Sequence, residues 1–163
     1  MKYVVKEPKQ IKPNRYLFHV SPESCREGIK EKGLLVSCFR KIAPCGVYAH
    51  NLLTEPNWTW YPFFLDYHDW TLDTNIDLKL CYDYWRIDTQ KVSNNWFIDF
   101  VARNDFGSTI GHDPGDMYVY SDEYVPVEAL QLFKFQKDRS WEFKGTPGAY
   151  HYRGIGEFRP FVE

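Results

Sequence analysis

The chain has 163 residues, a net charge of −2 and a sequence pI of about 6.2. That length fits one domain built on one core. The charge balance excludes the strong basic footprint of a protein held to nucleic acid by bulk electrostatics, and no apolar run is long enough for a transmembrane helix, so no membrane partner is expected.

The aromatic share, 18%, with six Trp and twelve Tyr, exceeds what packing alone asks of a core this size, so some rings are expected to line a cleft or an interface. Near the N-terminus only Tyr3, Val4 and Val5 form an apolar group. That is not the apolar core of a secretory signal, so a cytoplasmic location is expected. None of the four cysteines, Cys25, Cys38, Cys45 and Cys81, has Cys-x-x-Cys spacing. Without a signal they are expected to be reduced.

In chain order, residues 3–5 read as a short strand and residues 6–14 as a charged loop with two prolines. Residues 16–20 read as a strand that delivers His19 near its end. Ser21 is a good N-cap and Pro22 fits a first helical turn. Glu23 and Glu27 then lie early, and Lys30 and Lys32 late, as the helix dipole prefers. Gly33 closes this helix, and Leu34 and Leu35 are expected to turn back into the core. Residues 36–44 form a loop carrying Arg40 and Lys41, and residues 46–49 a strand entered through Gly46. Residues 51–69 are dense in rings, and Pro56 and Pro62 limit them to short helical turns.

Residues 70–76 read as a turn region, 78–87 as a strand and 88–92 as its exit turn. Residues 95–103 fit either a strand or a helix. Residues 105–116, with three glycines and a proline, read as a loop. Residues 117–120 are a strand, and Val125-Pro126 leads into another over 129–136. Residues 138–163 read as an appended tail, a hairpin or an irregular wrap, on a single domain spanning 1–163. Short strands with few helices, and no internal repeat, indicate an α+β fold with an antiparallel or mixed sheet.

No Gly-x-Ser-x-Gly elbow is present, and nothing singles out a Cys–His dyad. His112, Asp113 and Asp116 fall in one tight loop, where Asp residues more simply bond local backbone, so no metal is expected. No phosphate-cradling Gly-rich loop is followed by Lys-Ser/Thr.

Three segments stand out together: His19-Val20-Ser21, then Gly46-Val47-Tyr48-Ala49, then Asp116-Met117-Tyr118-Val119-Tyr120 ahead of Val125-Pro126-Val127-Glu128-Ala129-Leu130. In order and spacing they resemble the ADP-ribosyltransferase superfamily over residues 16–136. The first resembles the family's His-x-Thr/Ser strand end, as found in DNA-modifying ADP-ribosyltransferase toxins, RNA 2′-phosphotransferases and poly-ADP-ribose polymerases. The Val-Pro-x-Glu-x-Leu run is similar to the 2′-phosphotransferases and the toxins.

The resemblance implies an α+β, ADP-ribosyltransferase-like split β-sandwich with a few short helices, two packed sheets with an NAD cleft between them. It implies a toxin-like transferase, a glycosyltransferase that cleaves the nicotinamide–ribose bond of NAD as co-substrate and passes ADP-ribose to a nucleic-acid or protein acceptor. In that reading His19 bonds the ribose beside the nicotinamide, backbone at Val20 grips the carboxamide, and Ser21 adds polar lining. Tyr48 stacks on the nicotinamide, and Trp58 or Tyr61 completes the sandwich. The family's Glu would steady positive charge developing on the ribose as nicotinamide leaves. Asp116 stands at that position, one methylene shorter, with Glu123 the alternative and Glu128 structural. Arg15, Arg40 and Lys41 are candidates for the pyrophosphate. Three further readings stand beside it: an inactive module of the same family that binds NAD, ADP-ribose or a protein partner, an RNA 2′-phosphotransferase-like enzyme, and an unrelated aromatic-rich interaction domain in which the Trp/Tyr cluster is an interface.

Overall fold

Strand alternation sets the architecture. A computed structural model of the chain describes residues 7–38, 44–52, 82–111, 115–135, 141–143, 152–154 and 156–161. Its central strand, β2 (Tyr16–Pro22), buries Leu17 on one face and Phe18 on the other. Apolar side chains on both faces suit a strand covered on two sides.

β2 stays in register with β4 (Tyr82–Asp88) from Tyr16 opposite Asp88 to Pro22 opposite Tyr82. β4 then meets β7 (Leu130–Phe135), and β7 meets β10 (Gly156–Pro160). On the other side lie β3 (Val47–His50), β6 (Tyr118–Ser121), β5 (Trp96–Ile98) and the short β1 (Gln10–Ile11). The order across the eight-stranded sheet is β1-β5-β6-β3-β2-β4-β7-β10, antiparallel throughout. A separate pair joins β8 (Trp141–Phe143) to β9 (Tyr152–Gly154). With few short helices, the class is α+β.

The centre of the sheet is its loosest seam. β2 and β3 share one registered pair, Phe18 opposite His50. The two expected layers are thus one continuous sheet whose halves are joined by little backbone pairing. One face gathers Leu17, Ala49, Trp85, Ile87, Val119 and Leu132 into the larger core, and the other gathers Phe18, Tyr84 and Phe133.

The helices cover and tie these strands. A 3-10 turn (Glu23–Cys25) leads into α1 (Arg26–Lys32), which buries Ile29. Gly33 ends it at φ 77°, donating its N–H to the Ile29 carbonyl at 2.8 Å. Leu34 and Val125 then exchange both backbone hydrogen bonds, each 2.9 Å. α2 (Phe100–Ile110) starts at Asp99, whose carboxylate accepts from the Ala102 N–H at 3.0 Å. Gly111 closes it in the left-handed region.

Several expectations change. Ser21 is a strand residue and not an N-cap, because β2 runs on through Pro22 and the side-chain oxygen of Ser21 is engaged across the sheet. The 6–14 loop contains β1, whose residues pair with β5. Residues 95–103 hold both a strand and a helix start, and the loop expected from 105 is helical as far as Ile110. Leu35 is exposed while Leu34 is buried. The C-terminal tail supplies β10 to the main sheet. The expected reduced state of the cysteines does not hold for Cys38 and Cys45, which form a disulfide. Ser37 and Gly46 exchange backbone hydrogen bonds at 3.1 and 3.0 Å, so the next residues on each side face one another with Cα atoms 4.3 Å apart. Cys25 is free and exposed.

Candidate functional site

His19 lies on β2 at the seam, directly opposite Trp85 of β4. Its Nδ1 is 2.6 Å from the main-chain oxygen of Tyr48, across the gap where β2 and β3 leave register. A carbonyl only accepts, so Nδ1 carries the proton and the ring presents Nε2 as an acceptor. Burial lowers the pKa of His19 below the ordinary 6.5, against the smaller upward pull of the Tyr48 carbonyl. The imidazole is therefore neutral at pH 7.

Ser21 is buried on the same face, two residues on. Its Oγ accepts a hydrogen bond from Trp85 Nε1 at 2.8 Å. Its hydroxyl proton therefore points elsewhere. Opposite Ser21 stands Asp83, also buried. Arg26 of α1 grips that carboxylate with two bonds, Nε to Oδ2 at 2.9 Å and Nη2 to Oδ1 at 2.6 Å. The Asp83 hydrogen bond raises the Arg26 pKa, with smaller contributions from Asp83 and Glu23 charge against desolvation. This pair fixes the start of α1 to β4 beside Ser21.

Tyr48 is half-buried on β3. Its ring stacks on Tyr120 with centroids 5.5 Å apart and 27° between planes. Phe97 continues the row at 5.5 Å from Tyr120. The register explains it, since Tyr48 faces Tyr120 and Tyr120 faces Phe97 on three neighbouring strands. The Tyr48 hydroxyl donates to the Pro44 carbonyl, at the base of the disulfide-closed loop. The Tyr120 pKa is raised, first by desolvation and then by Asp122 and Asp99.

Alternation from the Phe18–His50 pair sends the Tyr48 and His19 side chains to opposite faces of the sheet. His19 thus meets the Tyr48 backbone and not its ring. Val20 lies on β2 beyond the last residue in register with β3. The two candidate acids bracket β6: Asp116 precedes it and Glu123 follows it, both exposed. The β6 residue level with His19 is Val119, through Ala49. The Asp116 carbonyl accepts from Asn51 Nδ2 at 3.2 Å, and the Glu123 carbonyl from Asn94 Nδ2 at 3.1 Å. These bonds hold the ends of β6 through main chain and leave the carboxylates out. Arg40, Lys41, Trp58, Tyr61, His112 and Asp113 lie outside the described residues.

Asp83, Arg26, Trp85 and Asn51 escape a reading of the sequence alone. Asn51 is buried, accepts from the Asn14 N–H at 2.9 Å, and bonds the entry to β6. Only the register brings these residues together, and no local motif signals it. Among the described residues no group of three or more His, Cys, Asp or Glu could hold a metal ion, and no helix is long and apolar enough to cross a membrane. No protein-family model, curated protein or solved structure matches the chain.

Proposed function

We propose that the chain is an NAD-dependent ADP-ribosyltransferase of the His-Tyr-acid type, its single sheet parting at the β2–β3 seam as a variant of that family's split β-sandwich. The observation that carries the reading is the His19–Tyr48 bond at the seam. It holds a neutral imidazole where two half-sheets part and aims an acceptor nitrogen away from the backbone. A ribose hydroxyl is a donor that such a nitrogen takes. NAD fits these residues in kind. Nε2 of His19 would accept from the ribose, backbone at Val20 beside the seam would meet the carboxamide, and Ser21 would donate through the proton Trp85 leaves to it. The Tyr48 ring would stack on the nicotinamide by the face away from Tyr120. When bound, NAD supplies a labile nicotinamide–ribose bond and the ADP-ribose that is transferred. Asp116, or Glu123, would steady the positive charge that develops as that bond breaks.

A second reading is an inactive module of the same fold that binds NAD, ADP-ribose or a protein. The exposed positions of Asp116 and Glu123 at the two ends of β6 favour it. The acceptor, nucleic acid or protein, is open in both. A cytoplasmic site of action suits a consumer of NAD, while the Cys38–Cys45 bridge suits an oxidising compartment.

Nicotinamide release from NAD, measured with the full chain, separates the readings. Release that falls by about a hundredfold or more in His19→Ala supports the transferase, as expected for loss of one positioned polar group. Asp116→Ala and Glu123→Ala then show which acid serves. Binding of NAD without release supports the module. Neither binding nor release refutes the NAD reading.

A further inference from the structure

Three arginines of the described residues meet a carboxylate. Arg26 meets Asp83 at 2.6 Å, Arg159 meets Glu157, and Arg15 faces Asp88 at 3.6 Å. Arg86 is an exception. It stands in mid-sheet on β4, between Phe18 of β2 and Gln131 of β7. Its Nε donates to the neutral amide oxygen of Gln131 at 2.5 Å. Its guanidinium carbon lies 4.2 Å from the Tyr16 ring centre and 4.9 Å from that of Phe158. No carboxylate among the described residues pairs with it, and its two terminal amino groups have no hydrogen-bond partner there.

A half-buried cation in mid-sheet is costly unless its charge is met. Two ring faces recover part of that cost. Asp88, on the same face of β4, is already engaged. Its Oδ1 accepts from the Gln90 N–H at 3.1 Å and its Oδ2 faces Arg15. Arg15 lies over the same Tyr16 ring, 4.9 Å from its centre, and its side chain is 55% exposed. Two guanidiniums therefore share one aromatic ring against one carboxylate, and that one is also a backbone acceptor.

We infer that Arg86 and Arg15 form a binding site for a phosphate group, free or carried on a nucleotide. Gln131 fixes the Nε edge of Arg86, so the Nη edge is the one presented. A planar fork of this kind matches phosphate oxygens. Phosphate carries more negative charge and more acceptor oxygens than a carboxylate, so it meets two guanidiniums more fully. The site lies on the face opposite the His19 side chain, and it stands whether or not the chain cleaves NAD.

Calorimetric titration of inorganic phosphate, AMP and acetate into the full chain at low ionic strength tests this. Saturable phosphate binding is expected, weakened about tenfold or more in Arg86→Gln, as loss of charge-assisted bonds implies. Arg15→Gln should weaken it by a smaller factor, and Arg159→Gln should leave it unchanged. Equal affinities for phosphate and AMP assign recognition to the phosphate alone, and tighter AMP adds the nucleoside; both support the site. Acetate bound as tightly as phosphate, no phosphate binding by the wild-type chain, or Arg86→Gln binding like wild type overturns it. If Arg86→Gln does not fold, the exposed Arg15→Gln decides: weakened binding supports the site and unchanged binding overturns it.

Discussion

Gly33→Ala is the substitution that most directly tests how α1 is anchored. Gly33 has φ 77° and ψ −165°, a region essentially closed to residues with a side chain. A Cβ there would lie 2.2 Å from the Val125 carbonyl oxygen, so backbone must move. That oxygen also receives the Leu34 N–H at 2.9 Å, and Val125 returns the bond at the same length. The backbone strain costs about 1–3 kcal/mol. Losing the two exchanged hydrogen bonds adds roughly 1 kcal/mol each. The expected loss is thus about 3–5 kcal/mol, large for a single change. At about 2–4 °C per kcal/mol for a chain of this size, Tm should fall by some 6 °C at least. Gly111→Ala is the control. Its φ is also 77°, but nothing lies within 4 Å of an added Cβ, so strain alone should cost about 1 kcal/mol. Urea unfolding followed by far-UV circular dichroism gives both values. If the two variants lose the same stability, the Val125 clash contributes nothing and the anchoring argument fails.

Two further outcomes follow from the seam and its loop. The pKa of His19 is lower in the folded chain than its ordinary 6.5, so on acidification the unfolded chain takes up this proton first. Its contribution to stability is full above about pH 6.5 and declines below that until the folded pKa is reached, by at most ~1.4 kcal/mol per pH unit. His19→Gln should lack this part of the decline in urea midpoints between pH 7.5 and 5.5, and parallel curves for the two proteins would refute the assignment. Reduction of Cys38–Cys45 should cost about 2–3 kcal/mol, the loop-closure value for a short loop. Thermal unfolding with and without dithiothreitol measures it, with Cys38→Ser as the reduced reference. An unchanged Tm on reduction would show that the Ser37–Gly46 pairing closes the loop alone.

The stretch from Tyr16 to Gly33 was legible because local rules dominate it. Apolar side chains at 17 and 18 and a glycine after the charged helix report a two-faced strand and a helix end. Its finer structure was not legible. Ser21-Pro22 carries the signature of a helix start, but the pairing of β2 with β4 outweighs it and commits Ser21 to Trp85 instead. α2 was hidden by Gly107 and by the glycines at 111 and 115 that follow it, although Asp99 with the Ala102 N–H three residues on is an ordinary cap. The disulfide had no motif because its spacing depends on Ser37 meeting Gly46. Asp83 and Arg26 are 57 residues apart, and only the β2–β4 register brings them together. For the candidate site, motif order put His19 and Tyr48 on two strands, and it is the register that makes these strands neighbours at the seam. It could not say which faces their side chains take, because that is fixed by the single Phe18–His50 pair.

That pair has a consequence for any ligand of the site. A molecule touching both the His19 ring and the Tyr48 ring cannot lie on one face of the sheet, since the two rings leave opposite faces. It must pass through the gap between β2 and β3, where the strands are out of register beyond Phe18. Ordinary antiparallel pairing would close that gap with backbone hydrogen bonds. Here a side chain spans it, as His19 Nδ1 donates to the Tyr48 carbonyl. The imidazole therefore does two things with its two nitrogens. One replaces a missing rung between the half-sheets, and the other is left as an acceptor. A glutamine or asparagine amide could make the first bond, but its remaining atom could not present an imidazole acceptor at the same place. The case for chemistry at this position rests on that second nitrogen.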